Sequence, residues 1–238
     1  MGKKVAILFY GLTRSLRSIY DNIKEKIFDQ LTTNNYSYDV FLHTYTLENP
    51  YINQWSGEIV NDYDNTSYTI LNPRECIVEP QSEVEPLLNT TKYLSIIGDW
   101  AGTASNPNMY RYLVRNMVLA LYSKRRVVNL FAKYKNEYDY VIITRPDQRL
   151  HSNLNPQIFN KLNNFNIVIP HEHSYHGLND RFCIAKPINA IRYGRSFNYL
   201  YFYSKLKPIV SEVYMKAYLK ALGLRIIFSP IKATLQRV

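Results

Sequence analysis

Arg145 and Asp147 flank Pro146 at the end of an apolar run, Tyr138-Asp139-Tyr140-Val141-Ile142-Ile143-Thr144. An arginine and a carboxylate delivered together at the carboxyl end of a strand stand where an open α/β sheet meets its ligands. Acids are scarce around them: residues 101–238 hold only Glu137, Asp139, Asp147, Glu172, Asp180 and Glu212. Chemistry in that half that needs a carboxylate must draw on this set. Asp147 would ligate a divalent cation, Mn²⁺ or Mg²⁺, that shares its oxygen ligands with a diphosphate, and Arg145 would neutralise the same anion. The competing reading is a strand-ending turn, because proline breaks the ladder and aspartate favours turns. A single carboxylate makes no firm cation site. His171, Glu172 and His173, just after the next strand, are candidates for a second ligand, against a solvated His-x-His loop.

Three other groups have chemical potential. Gly11-Leu12-Thr13-Arg14 closes the first apolar run at a helix start, where backbone N–H groups and the helix dipole favour an anion such as a nucleotide diphosphate. The glycines of a dinucleotide fingerprint or a P-loop are absent, so Gly11 reads equally as a turn glycine and Arg14 as an exposed helix-start arginine. Gly177-Leu178-Asn179-Asp180-Arg181 gathers side chains that either grip sugar hydroxyls or cap their own turn. Glu212, among apolar and small neighbours in a helix, is a general base if it points into a cleft and a dipole partner if it does not. There is no Gly-x-Ser-x-Gly, no Cys/His nucleophile pairing and no His-Glu-x-x-His, which removes those hydrolase routes.

The elements that must position these groups follow from hydrophobic pattern. Val5 to Tyr10 is continuously apolar, as in a strand covered on both faces, and leads into a helix from Arg14 to Leu31. Asp39 to Tyr45 completes a β-α-β unit with parallel strands and a right-handed crossover. Residues 47–109 read as a long irregular insert with a short strand at Glu75 to Glu79, a candidate lid over the site. A helix spans about 106–136, with a possible break near Lys124-Arg125-Arg126. Beyond the Asp147 strand come a helix near Pro156 to Leu162, strands at Ile167 to Pro170 and Arg181 to Ala185, helices at Ile188 to Lys205 and Pro208 to Leu222, and a last strand at Leu224 to Phe228. Alternating strands and helices predict a single α/β domain over 1–238, with a mixed, mostly parallel central sheet flanked by helices.

With 238 residues the chain can build a substantial core without disulfides, and Cys76 and Cys183 have no metal spacing, which points to a reducing, cytoplasmic setting. The N-terminal apolar run is a first strand and not a signal peptide, and no stretch approaches the ~18 apolar residues of a membrane span. The net charge of +10 is unevenly spread: residues 41–100 carry two basic against nine acidic side chains, residues 101–238 carry 21 against six. A basic half points to an anionic partner: nucleotide phosphate, nucleic acid or anionic lipid, or else a merely solvated basic surface.

In order and spacing, four segments resemble small GT-A-type nucleotide-sugar-dependent glycosyltransferases of cell-envelope polysaccharide synthesis and large DNA viruses. They are Ala6 to Arg14, Tyr38 to Thr44, Tyr138 to Asp147, and His176 to Phe182. The resemblance implies a Rossmann-like fold and nucleotide-sugar contacts at Gly11, Leu12, Thr13, Arg14, His43, Arg145 and Asn179. It places Asp147 where the family has its metal-binding Asp-x-Asp, with Arg145 in the first position, and it implies catalytic roles for Asp180 and Glu212. The implied partners are a nucleoside-diphosphate sugar and a glycan or other hydroxyl acceptor. The expected location is the cytoplasm, of a host cell if the protein is viral, and the basic half adds a candidate peripheral membrane contact. The second reading, from a different class, is a non-catalytic basic protein that uses Lys124, Arg125, Arg126, Lys133 and Lys135 on nucleic acid or anionic membrane. Nucleic acid is the less expected of the partners.

Overall fold

The computed structural model describes residues 2–237. β1 (Lys4–Tyr10) sets the frame. Successive strand side chains point to opposite faces. Val5, Ile7 and Phe9 pack with Leu16, Ile19 and Ile27 in one apolar layer, and Ala6, Leu8 and Tyr10 pack with Val114, Val118 and Val127 in the other. Both faces are covered, which is why the run shows no polar alternation.

β1 turns at Gly11, whose φ of +97° favours glycine. α1 (Leu16–Ile23) continues through a π-helical turn, Lys24–Phe28, into α2 (Asp29–Thr33). The helix therefore starts later than Arg14, which belongs to the preceding loop. β2 (Ser37–Thr46) pairs parallel to β1. The 47–109 segment is more ordered than its composition predicts. It supplies an antiparallel hairpin, β3 (Tyr51–Asn53) and β4 (Glu58–Val60), then β5 (Glu75–Pro80) and α3 (Gln81–Leu88). β5 joins the central sheet beside β2.

α4 (Pro107–Ala132) runs without a break through Lys124-Arg125-Arg126. Proline opens it at a position that needs no N–H, and the Asn106 side chain accepts from the Met109 N–H at 3.1 Å. There follow β6 (Tyr140–Thr144), β7 (Gln148–Leu150), a 3₁₀ turn at Pro156–Lys161, β8 (Asn166–Pro170) and β9 (Cys183–Ala185). The predicted helix from Ile188 to Lys205 is two: α5 (Pro187–Gly194) and α6 (Phe197–Ser204). α7 (Ser211–Ala221), β10 (Arg225–Ser229) and β11 (Ala233–Leu235) complete the chain.

The central sheet has seven strands in the order β10-β8-β9-β6-β1-β2-β5. Only β9 runs against its neighbours β6 and β8; the other pairs are parallel. The fold is thus α/β with a mixed, mostly parallel sheet flanked by helices, as the pattern predicts. β7 and β11, too short to read in the sequence, pair antiparallel outside this sheet. Their pairing brings the C-terminal segment back to Asp147, whose carbonyl accepts from the Gln236 N–H at 2.8 Å.

Candidate functional site

A cavity of about 860 Å³ opens at the carboxyl ends of β1 and β6. That volume suits a small-molecule ligand. Tyr10, Gly11, Leu12 and Arg14 enter from the end of β1 and Arg145 from the end of β6. α4 contributes Arg115 and Lys124, the hairpin Tyr51 and Trp55, the loop after β8 His173, Tyr175, His176, Asp180 and Arg181, and the start of α7 Ser211 and Glu212. Six lining residues are arginine or lysine, counting Arg237, and three are acidic: Asp99, Asp180 and Glu212. The cavity therefore attracts anions.

Asp147 lies at the base of this charge and is fully buried. Arg145 grips it through two hydrogen bonds, Nε to Oδ1 at 2.8 Å and a guanidinium nitrogen to Oδ2 at 2.6 Å. Arg14 donates to the same Oδ2 at 3.0 Å and to Glu58 at 2.7 Å. Burial alone would raise the Asp147 carboxyl, but the charge and hydrogen bonds of Arg145, then those of Arg14, hold it below the usual carboxylate range. This geometry does not fit the expected cation ligand. Both Asp147 oxygens face guanidinium groups, and among the described residues no three His, Cys, Asp or Glu side chains gather to hold a metal. Of the proposed second ligands, Glu172 pairs with Lys232 at 3.4 Å and His171 packs edge-on against Phe228. His173 lines the cavity but bonds to the Tyr175 hydroxyl at 3.0 Å. Asp147 orients the two arginines instead.

Other expected contacts turn inward. The Gly11 N–H donates to Ser123 Oγ at 2.8 Å and the Thr13 N–H to the Tyr63 hydroxyl at 3.1 Å, so neither is left for a phosphate. His43 is buried behind the cavity between Ser123 Oγ and Glu79, each at 2.7 Å. Burial holds its imidazole below the usual range despite the pull of Glu79. Asn179 caps its own loop: its amide donates to the Glu172 carbonyl at 2.8 Å and its oxygen accepts from the Arg181 N–H at 2.9 Å. It is a scaffold residue in this arrangement. Leu12, Arg14 and Arg145 keep cavity-facing positions.

Asp180 and Glu212 do come together across the cavity wall. The Asp180 carbonyl accepts from Lys124 Nζ at 2.8 Å, the Tyr10 hydroxyl at 2.9 Å and the Tyr193 hydroxyl at 3.0 Å, which fixes its backbone. Its carboxylate accepts from the Ser211 hydroxyl, one residue before Glu212. Glu212 is itself buried, and its Oε2 has no hydrogen-bond partner. Burial and then the charge of Asp180 push its carboxyl up to about 7. Gly177 makes this approach possible, since a Cβ there would fall 2.0 Å from the Glu212 carbonyl.

The basic-protein reading needs Lys124 on an exposed face, and it is 1% exposed. Its ammonium lies over the Tyr10 and Tyr193 rings, 4.9 and 4.5 Å from their centroids, and burial lowers its pKa to about 8. The signal was present in the sequence: Met117, Leu121, Lys124, Val128 and Phe131 share one helical stripe, all buried. Arg125 stacks on Phe197 with 4.4 Å to the ring centroid, and Arg126 pairs with Glu79 at 2.9 Å. These three residues form no free basic stripe for a polyanion. The aromatic lining, Tyr51, Trp55, Trp100 and Tyr175, had no distinguishing mark among 22 tyrosines and two tryptophans spread along the chain.

No protein-family model matches the chain, and no curated protein matches it. Among solved structures, the apo form of mouse xyloside xylosyltransferase 1 is similar over 96% of this chain and 85% of that one, at 10% identity and a TM-score of 0.42. A likeness at that level assigns neither family nor activity.

Proposed function

We propose that this protein is a glycosyltransferase that moves a sugar from a nucleoside-diphosphate sugar to a hydroxyl of a glycan or other acceptor. The observation that carries the reading is Glu212, a buried carboxyl with a free oxygen and a proton affinity near neutrality, lining the same cavity as Arg145, Lys124 and Arg181. Such a group takes protons at working pH. In the transfer step the acceptor oxygen gives its proton to Glu212 and bonds to the anomeric carbon. The bond from that carbon to the phosphate oxygen breaks, leaving its electron pair on the diphosphate. Preorganised cations in a partly dry site lower the energy of that departing charge. Burial and then the charge of Asp180 keep Glu212 basic, and Asp147 holds Arg14 and Arg145 in place. The expected divalent cation has no fitting donor set here, and no step uses one.

Thermal-shift screening against nucleotide sugars tests the reading, because a ligand of the native state raises its melting temperature by mass action. One nucleoside-diphosphate sugar is expected to stabilise the protein and to release its nucleoside diphosphate when a glycan acceptor is added. A protein stabilised by none of them is not a nucleotide-sugar enzyme.

A further inference from the structure

The strongest feature outside the cavity is the outer face of α6. Its inner face buries Phe197, Leu200 and Ser204. Outward it shows Tyr199 (55% exposed), Tyr201 (41%), Phe202 (68%) and, in the turn that follows, Leu206 (76%). Phe202 and Leu206 are four apart, so they share one helical stripe. Lys205 and Lys207 flank Leu206 and are exposed, as are Lys216 and Lys220 on α7, which packs beside α6. Tyr199 ties the two helices together, its ring 5.5 Å from that of Tyr218. Acids are missing: from residue 181 to 238 the chain has eleven basic residues and one acid, the buried Glu212. Large exposed apolar groups rimmed by like charge mark a contact surface.

We propose that this face docks on an anionic lipid membrane. Aromatic rings at a helix surface suit the headgroup boundary, and the stems of lysines let an adjoining leucine enter the acyl region while the ammonium groups stay among phosphates. Leucine and phenylalanine as the two most exposed side chains fit hydrocarbon better than nucleic acid, whose readers stack bases on aromatics and hold phosphates by arginine. Among the described residues no helix is long and apolar enough to cross a membrane; the contact proposed is that of this face with the headgroup region. The face also adjoins the cavity: Pro208 packs against Gly98, beside Asp99 and Trp100, and α7 starts at the cavity wall. The proposal stands independently of the reaction assigned to that cavity.

Co-sedimentation of the full chain with vesicles tests it. The protein should pellet with equimolar phosphatidylcholine–phosphatidylserine vesicles, and at least tenfold less with phosphatidylcholine alone or at high salt, since each lysine near an anionic surface contributes to attraction that salt screens. The double variants Phe202→Ser with Leu206→Ser, and Lys205→Glu with Lys207→Glu, should each lower the partition at least tenfold while the melting temperature stays near that of the wild type. The charge variant removes no buried atom and decides the matter if the apolar variant loses its thermal transition. Wild-type partition by the charge variant, or no binding to the anionic vesicles, overturns the proposal. So does tight binding of single-stranded RNA that the same variants abolish while vesicle binding is absent.

Discussion

Glu212 and Lys124 are two ionisable groups that the cavity holds away from their ordinary equilibria, in opposite senses. For Glu212 the folded value is about 7 against an ordinary 4.5, so the contribution it makes to stability is fully present below pH ~4.5 and is lost as pH rises through about 7. Glu212→Gln should therefore be more stable than the wild type at pH 8, by denaturant titration, while transfer falls by roughly 100-fold or more. The wild-type kcat should rise with pH through about 7, and the glutamine variant should lack that limb. For Lys124 the folded value is about 8 against 10.5, so burying its charge costs stability at neutral pH and the cost is relieved as pH rises from 8 to 10.5. Lys124→Met should leave stability at pH 7 unchanged or higher and weaken nucleoside-diphosphate binding about tenfold in calorimetry, a change of about 1.4 kcal/mol. A strongly destabilised methionine variant would mean that the lysine is structural.

At the scale of elements, the strand ends are held by ionic contacts between distant segments. Arg14, ahead of α1, and Arg145, after β6, meet on Asp147, and removing that carboxylate leaves the buried Arg14 and half-buried Arg145 guanidinium groups without their shared partner. Asp147→Ala should cost about 3–5 kcal/mol in urea denaturation, the scale of breaking a buried ion pair. Because Asp147 sits below the usual carboxylate range, its contribution is present above pH ~4 and is lost as pH falls below that. A variant as stable as the wild type at pH 7 would sink the structural role. The junction between the loop after β8 and α7 is equally tight: the Leu178 N–H donates to the Glu212 carbonyl at 2.9 Å, and Gly177 leaves no room for a methyl group. Gly177→Ala should push the start of α7 away, lowering both melting temperature and kcat, and unchanged kcat would detach Glu212 from the reaction.

Over the whole molecule, charge is divided between an acidic segment, residues 41–100, and a basic half, residues 101–238; both line the cavity, the basic half with five of its six cations. With the positive charge supplied by side chains, nucleoside-diphosphate affinity in EDTA should stay within about tenfold of that in Mn²⁺. Binding seen only with Mn²⁺ would mean that a cation is recruited by other groups, the Asp180 and Glu212 pair first among them. Added salt should weaken the binding in either buffer, as screening requires.

The sequence by itself determined the α/β class, because β1, β2 and β6 are short continuous apolar runs separated by helical stripes, and burial on both faces leaves that mark locally. It also named Arg14, Arg145, Asp180 and Glu212, which line one cavity, and His43, Asp147 and Asn179, which do not line it. Which groups each charge pairs with was decided only by tertiary structure. Asp147 reads as a cation ligand from its place at a strand end and from the family resemblance, but Arg145, two residues before it, and Arg14, 133 residues away, both hold its carboxylate. Lys124 lies on the buried α4 stripe, Asn179 is held by its own loop, and His43 is held by partners from other segments. β7 and β11, three residues each, have no periodicity to detect and exist through pairing with each other. Local pattern is a property of neighbours along the chain, whereas a side chain's partner, its burial and its proton affinity are set by segments that only folding brings together.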